Sequence, residues 1–203
     1  LNMLIERCHA YGAKVCVQLS PGLGRQQFTD PFTPPYSAGS VGAFWFPDLI
    51  CKPFSKEDIH YLVEKVGYSA SLAVNAGADC VELHAYGGYL LDQFHSVQWN
   101  NRTDEYGGSF ENRIKYPMDV LKTVIDEVNG EVPVQIRVSV DEYVEDGMHF
   151  DEVKKVCHLA NEMGVASISL SAGCYDAVEY AIQPMFIPQG FIIPFAKELK
   201  AEI

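Results

Sequence analysis

The sequence has no long hydrophobic run and no closely spaced cysteines, and each absence argues against a class of protein. The apolar runs are far shorter than the roughly 20 residues that a membrane-spanning helix requires, which predicts a soluble protein. The six cysteines are scattered without a Cys-x-x-Cys pair, so we predict no metal site, neither zinc nor iron–sulfur, in these residues. Such cysteines suit the reducing cytoplasm, which is the predicted location.

Positive charge is also scarce. Lys and Arg number 15 against 27 Asp and Glu, and the formal net charge is −12. Nucleic acids and anionic membranes bind proteins through basic surfaces, so neither is an expected partner. The acidic excess is typical of a well-solvated surface.

What the sequence does contain is a regular alternation of helical and strand-like stretches. Short apolar runs rich in β-branched residues predict four strands, at residues 14–19, 79–83, 132–138 and 166–170. A helical stretch precedes each strand and ends at Gly or Asn, because these residues tolerate the left-handed conformation at a helix end. These stretches are residues 1–11, 56–75, 110–128 and 151–163, and a fifth helix is predicted at residues 195–203. Ser55 and Ser109 are placed to cap two of them.

Alternating helices and strands predict a parallel sheet, either doubly wound or part of a (β/α)8 barrel. No Gly-x-Gly-x-x-Gly sequence follows a predicted strand, so the dinucleotide fingerprint is missing. Polar and aromatic residues follow the carboxyl end of each strand, where barrel enzymes build their sites. We therefore predict one α/β domain, residues 1–203, that forms part of a TIM barrel with four parallel strands and flanking helices.

Four strands cannot close a barrel of eight, so the chain is predicted to be a fragment with the missing strands on both sides. The open sheet edges of such a fragment predict self-association. Cys16 and Cys80 lie in apolar strand-like runs and are expected to be small core residues.

The connection at residues 20–54 is long for a strand-to-helix loop and contains six prolines. Loops of this length are usually functional or disordered. We interpret it as an active-site loop whose aromatic side chains cover a pocket. These side chains are Phe28, Tyr36, Phe44, Trp45 and Phe46.

Two motifs follow the second predicted strand. Residues 84–94 read HAYGGYLLDQF, and residues 101–113 read NRTDEYGGSFENR. Together they resemble the signature of the Old Yellow Enzyme family, in its branch of 2,4-dienoyl-CoA reductases and clostridial enoate and bile-acid enone reductases. The resemblance covers essentially the whole chain, from the third strand to the sixth helix of the barrel. We interpret residues 102–113 as scaffolding.

The resemblance implies an enzyme that binds FMN, takes hydride from NAD(P)H and reduces the C=C bond of an enone or enoate, a small-molecule substrate. Tyr89 matches the proton donor of the family, and an unperturbed phenol pKa of about 10 keeps it protonated near neutral pH. His84 matches the residue that hydrogen-bonds the substrate carbonyl. Tyr86 and Tyr175 are predicted to contact the substrate. Without the motif, Tyr89 would be interpreted as a packed ring.

The same resemblance places Gln18 and Arg137 at the flavin. Arg137 stands in an otherwise apolar strand, where a charge requires a partner. The family uses this position to favour the anionic reduced flavin, and the alternative is a buried ion pair.

The family holds the FMN phosphate with loops after the seventh and eighth strands, which predicts weak FMN binding by this segment alone. Clostridial-type relatives also carry an iron–sulfur cluster and an FAD-binding half, both expected only in a longer parent protein. Two alternatives stay open: a catalytically inactive barrel fragment, and a non-redox barrel lyase or hydrolase.

Overall fold

The computed structural model describes residues 1–28 and 30–203. The helices in these residues are α1 (Asn2–His9), α2 (Lys56–Asn75), α3 (Leu90–His95), α4 (Phe110–Val128), α5 (Phe150–Glu162), α6 (Val178–Ala181) and α7 (Ile193–Glu202). The strands are β1 (Cys16–Leu19), β2 (Tyr36–Ser37), β3 (Lys52–Pro53), β4 (Cys80–Ala85), β5 (Val134–Ser139) and β6 (Ser167–Ser171).

The two longest helices begin and end at the predicted residues because their ends are specified locally. At the start of α2 the Ser55 hydroxyl accepts a hydrogen bond from the Asp58 N–H, and the Asp58 carboxylate accepts one from the Ser55 N–H. Ser109 caps α4 in the same way through the Asn112 N–H. Asn129 ends α4 with a φ of 49°, the left-handed conformation that stops a helix.

The main sheet is parallel, with the strand order β1-β4-β5-β6. Alternate residues of these strands point to opposite faces of the sheet. One face, which includes Val81, Leu83 and Ile136, packs into a core shared with α2, α4 and α5. The other face is polar. The four-stranded parallel sheet with flanking helices agrees with the predicted partial barrel.

Cys16 and Cys80 do not belong to the core, so this part of the sequence interpretation is wrong. Cys16 is exposed and Cys80 is half-buried, and the two residues are paired in register across β1 and β4. Strands of a parallel sheet have two faces, and these cysteines lie on the polar face, away from the helices. The runs that contain them are apolar because their neighbours, such as Val17 and Val81, face the helices.

Three short elements were absent from the sequence prediction: α3, α6 and the pair β2–β3. The strands β2 and β3 pair in parallel inside the long loop, which is therefore partly ordered by backbone hydrogen bonds. Each element has six residues or fewer, too short for a recognisable hydrophobic period. Among the described residues, no helix combines the length and the apolar content needed to cross a membrane.

Candidate active site

The carboxyl ends of β4 and β5 bring three predicted site residues together. His84 on β4 is in register with Arg137 on β5. The Arg137 guanidinium carbon lies 4.4 Å from the centre of the Tyr86 ring, and the His84 and Tyr86 ring centres are also 4.4 Å apart. The imidazole, the guanidinium and the phenol thus form one contiguous group.

Tyr89 joins this group from the turn that follows β4. Its ring centre lies 4.9 Å from that of His84, and its hydroxyl is 2.7 Å from the Tyr175 hydroxyl. The turn is built by Gly87 and Gly88, which have φ angles of 76° and 79°. A Cβ atom at Gly88 would approach the Gln26 side chain to 2.9 Å, so the close approach of backbone to side chain requires glycine here.

Burial sets the protonation states of both predicted catalytic residues. Burial raises the pKa of the Tyr89 phenol, and its hydrogen bond to Tyr175 adds to the shift, so the phenol keeps its proton. Burial lowers the pKa of His84 to about 4, and the charge of Arg137 acts in the same direction. The His84 imidazole is therefore neutral near pH 7, and its buried Nδ1 has no hydrogen-bond partner among the described residues.

The neutral state of His84 predicts a sign for the pH dependence of stability. Because its folded-state pKa lies below the ordinary value of 6.5, its contribution is present above pH 6.5 and is lost as the pH falls towards about 4. We expect His84→Asn to lose less of its unfolding free energy than the wild type over this interval. Urea titrations at the two ends of the interval measure the difference.

His149 is the matched control because the pKa of its imidazole is raised by a hydrogen bond to Asp141. Its stabilising contribution is present below pH 6.5 and is lost as the pH rises through the folded-state pKa. As the pH rises above 6.5, His149→Asn must therefore lose less unfolding free energy than the wild type, which is a change in the opposite pH direction. If both variants change it in the same direction, the protonation state assigned to His84 is wrong.

Arg137 has no carboxylate partner in the part of the chain that the structure describes. Its Nε donates to the Ser171 hydroxyl at 2.8 Å, and within residues 1–28 and 30–203 no Asp or Glu forms an ion pair with it. The described residues therefore do not form the buried ion pair that was the alternative interpretation of Arg137. A half-buried guanidinium that lies over Tyr86 keeps its charge available to an anionic group.

Gln18 also lies on the polar face of the sheet, but at a different register position from the pair His84 and Arg137. Its Nε2 donates to Glu82 at 2.5 Å, and Gln135 donates to the other Glu82 oxygen at 2.7 Å. Gln18 is in register with Glu82, two residues before His84 on β4. The carboxylate orients the Gln18 amide but leaves its side chain exposed on the polar face.

A pocket of about 190 Å³ lies against the phenols. Its walls are mostly apolar, and the polar atoms come from the predicted substrate-contacting residues Tyr86 and Tyr175 together with Tyr89. The complete lining is Tyr86, Gly87, Tyr89, Cys174, Tyr175, Val178, Ala181 and Ile182.

The long loop reaches this pocket through Phe44 and Arg25. The Phe44 ring stands edge-on to Tyr175, with ring centres 5.1 Å apart. Arg25 forms an ion pair with Asp176 at 2.6 Å and donates to the Gly42 carbonyl. Of the aromatic set predicted to cover the pocket, Phe44 makes this contact; Phe28 stacks on Phe46, Tyr36 packs on Phe54, and Trp45 packs on Phe44.

Gln93 organises the site, although the sequence interpretation assigned it no role. Its amide Nε2 donates to the Gly88 carbonyl and to Gln26 Oε1, both at 2.6 Å. Its Oε1 accepts hydrogen bonds from the Arg25 N–H and the Ser37 hydroxyl. The fully buried side chain thus holds the turn before Tyr89 against the long loop. Its position within the motif at residues 84–94 was the sequence signal that could have identified it as a site residue.

Residues 102–113 make the contacts expected of scaffolding. Both Arg102 Nε and Nη2 bind Asp104, and its Nη1 donates to the carbonyls of Ala38 and Phe54 in the long loop. Arg113 binds both carboxylate oxygens of Glu152 and the carbonyl of His95 at the end of α3.

The parallel sheet and the strand-end group of His84, Arg137 and the tyrosines define a protein of the barrel-enzyme class. The chain belongs to the NADH:flavin oxidoreductase / NADH oxidase family, whose family model matches residues 1–187. The resemblance to the Old Yellow Enzyme family is therefore confirmed. FMN and NAD(P)H, predicted above, are the cofactors of this family of oxidoreductases.

Curated relatives agree with this family. Cinnamate reductase from Clostridium sporogenes is 32% identical, with 98% of this chain and 32% of the relative covered. NADH oxidase from Thermoanaerobacter brockii is 33% identical, covering 97% and 30%. NADPH dehydrogenase from Halalkalibacterium halodurans is 32% identical, covering 100% and 56%. The chain thus spans about a third of the first two relatives and just over half of the third.

Solved structures show the same fold. A complex of 2-naphthoyl-CoA reductase with 2-naphthoyl-CoA matches with a TM-score of 0.85 at 22% identity, covering 99% of this chain and 32% of that one. Morphinone reductase in complex with tetrahydroNAD matches with a TM-score of 0.74 at 23% identity, covering 98% and 56%. These likenesses confirm the predicted partial barrel.

Proposed function

We propose that this chain carries the catalytic centre of an FMN-dependent oxidoreductase that reduces the C=C bond of an α,β-unsaturated carbonyl compound with NAD(P)H. The observation that carries the proposal is the contact of three groups: the protonated Tyr89 phenol, the Tyr175 hydroxyl 2.7 Å away, and the neutral His84 imidazole beside Tyr89. A proton donor next to a hydrogen-bond donor is what addition of hydrogen across such a bond requires.

The residues present fit a flavin. Among the described residues Arg137 is a cation without a carboxylate partner, and Gln18 offers an exposed amide on the same polar face of the sheet. Arg137 and Gln18 would hold the flavin ring, and the guanidinium would supply a positive charge that favours the anionic reduced flavin. FMN, when bound, supplies the hydride that it has taken from NAD(P)H.

The side chains of this chain perform the remaining steps. His84 donates a hydrogen bond to the substrate carbonyl oxygen, where negative charge develops as hydride reaches the β-carbon. Tyr89 gives its proton to the α-carbon, which completes the addition of two hydrogens across the C=C bond. Tyr175 holds the Tyr89 phenol in place through the hydrogen bond between the two hydroxyls. The mostly apolar walls of the pocket offer few polar groups that could bind water beside the tyrosines.

The substrate class is supported by names of similar proteins. Cinnamate reductase and morphinone reductase are both named for the reduction of their substrates. The chain spans only part of these proteins, so the activity proposed here is one that the relatives carry out at their full length.

Flavin bleaching tests the proposal. Under anaerobic conditions NADH or NADPH should bleach the flavin absorbance of the FMN-loaded protein, and an enone or enoate should restore it with formation of the saturated product. A flavin that is bleached but reoxidised only by oxygen contradicts the C=C substrate class. Failure of bleaching favours the inactive fragment or the non-redox barrel.

We also propose a cytoplasmic location and self-association of the 203-residue chain. The described cysteines are all free thiols, which suits a reducing compartment. The strands β1 and β6 are the edges of the described sheet, and edge strands present unpaired backbone groups. Light scattering over a dilution series should show mass above that of a monomer at high concentration; a monodisperse monomer throughout contradicts this prediction.

A further inference from the structure

Two fully buried carboxyl groups lie beneath the turn that carries Tyr89. Asp92, in α3, accepts a hydrogen bond from the Gly88 N–H through Oδ2 at 2.7 Å. Glu142, in the loop after β5, accepts hydrogen bonds through Oε2 from the Ser96 hydroxyl at 2.6 Å and the Met148 N–H at 2.8 Å. One oxygen of each carboxyl group is thus satisfied.

The other two oxygens have no such partner. Asp92 Oδ1 and Glu142 Oε1 are both buried without a hydrogen-bond donor among the described residues. The two side chains interact, because each one contributes to the shift in the pKa of the other as a hydrogen-bonding partner. Two buried carboxylates that interact in this way repel unless a proton lies between them.

Among the described residues, no Lys or Arg forms an ion pair with either carboxyl group. His95 Nδ1 lies 4.0 Å from Asp92 Oδ1, but burial lowers the pKa of His95 to about 3, so it is neutral. Arg113 on α4 is paired with Glu152. Cys174, in the loop after β6, is protonated because burial raises the pKa of its thiol to about 12.

We propose that Asp92 and Glu142 share one proton between Oδ1 and Oε1, and that this hydrogen bond makes them positioning residues for Tyr89. The shared proton joins the segment after β4 to the loop after β5. That loop is joined in turn to the segment after β6 by the Cys174 thiol, which donates to the Glu142 carbonyl. The role in positioning Tyr89 rests on the proposed function; the shared proton does not.

The pH dependence of stability follows from the same arrangement. Burial raises the pKa of both carboxyl groups, and the charge of Asp92 raises that of Glu142 further. The folded chain therefore keeps a proton that the unfolded chain releases. The stability that this proton contributes is present at acidic pH and is lost as the pH rises through the folded-state pKa. The unfolding equilibrium constant of the wild type, divided by that of Glu142→Gln, should rise about tenfold per pH unit. This holds between the pKa of the carboxyl group in the unfolded chain and its pKa in the folded chain.

Amide variants test the shared proton because an amide NH2 replaces a carboxyl O–H. Glu142→Gln and Asp92→Asn each leave one donor facing one carboxylate, so each should fold with nearly unchanged thermal stability. The double variant places two NH2 groups face to face and should unfold at a clearly lower temperature than either single variant. Glu64→Gln, at an exposed position, is the control.

Infrared spectroscopy gives an independent readout. The wild type above neutral pH should show the carbonyl stretch of a protonated carboxyl group, and each single amide variant should lack it, whereas Glu64→Gln retains it. Absence of this band from the wild type, or a double variant as stable as the single variants, overturns the shared proton.

Positioning is measured by separating the two half-reactions of the flavin-loaded protein. Glu142→Leu, which removes the hydrogen bond, should lower kcat for enone reduction at least tenfold, leave flavin reduction by NADH within twofold, and be rescued by Glu142→Gln. Equal loss of both half-reactions, or no loss, overturns positioning. If the wild type does not reduce enones, the proposed function and the positioning role fail, while the infrared result still decides the shared proton.

Discussion

Tyr89→Phe should lower the rate of C=C reduction by about 10²- to 10⁴-fold, the contribution usual for a positioned general acid. The substitution removes the phenol hydroxyl, which lines the pocket and can supply a proton. Among the described residues, Tyr89 is the only one with a pocket hydroxyl that contacts both His84 and Tyr175. The aromatic ring stays, so packing against His84 is preserved. Stopped-flow measurement of flavin reoxidation by an enone gives the rate.

The half-reactions distinguish a lost proton from a damaged site. Flavin reduction by NADH needs no proton from Tyr89 and should be unchanged in Tyr89→Phe. Tyr61→Phe, at an exposed position on α2, should leave both half-reactions unchanged. Tyr175→Phe removes only the hydrogen bond to Tyr89 and should cost less than Tyr89→Phe. A Tyr89→Phe protein that reduces the enone at the wild-type rate rules out Tyr89 as the proton donor.

Gln93→Leu should lower the free energy of unfolding by about 3 kcal/mol or more, because it leaves several buried polar groups without partners. The groups that lose this partner are the Arg25 N–H, the Ser37 hydroxyl, Gln26 Oε1 and the carbonyls of Gly88 and Leu23. Leucine is apolar and fills most of the same space, so the loss reports mainly the missing hydrogen bonds. Urea unfolding with linear extrapolation measures it.

The exposed Gln98 gives the matched control, since Gln98→Leu changes the same atoms at the surface. Its effect should stay within about 0.5 kcal/mol. Equal effects of the two substitutions would show that the hydrogen bonds of Gln93 do not stabilise the fold. Gly24→Ala should resemble Gln93→Leu, because Gly24 has a φ of 60° and a Cβ atom there would clash with Gln93 Oε1.

The sequence predicted the long elements of the fold well because their signals are local. The bounds of α2 and α4 follow from capping by Ser55 and Ser109 and from the residues that end each helix. The four strands of the main sheet were located to within two residues at each end. The short helix α3 was missed: its side chains are buried all round, so it has no polar period to recognise.

The sequence predicted which residues form the candidate site but not the contacts between them. The motif at 84–94 led to His84 and Tyr89, and the resemblance added Gln18, Arg137, Tyr86 and Tyr175. The hydrogen bond between Tyr89 and Tyr175 joins two residues that are 86 positions apart in the sequence. The ion pair between Arg25 and Asp176 spans 151 positions. No periodicity specifies such contacts. The pairing of Asp92 with Glu142 is hidden in sequence for the same reason.

The sequence by itself therefore determined the order of helices and strands, the family and the residue types available for chemistry. Capping, helix termination and alternation depend on neighbours a few residues away, and sequence shows these directly. Only the tertiary structure decided which face of the sheet is polar, which phenol touches which, and how far each pKa moves. Those properties depend on burial and on distances between loops, which arise only when distant segments pack together.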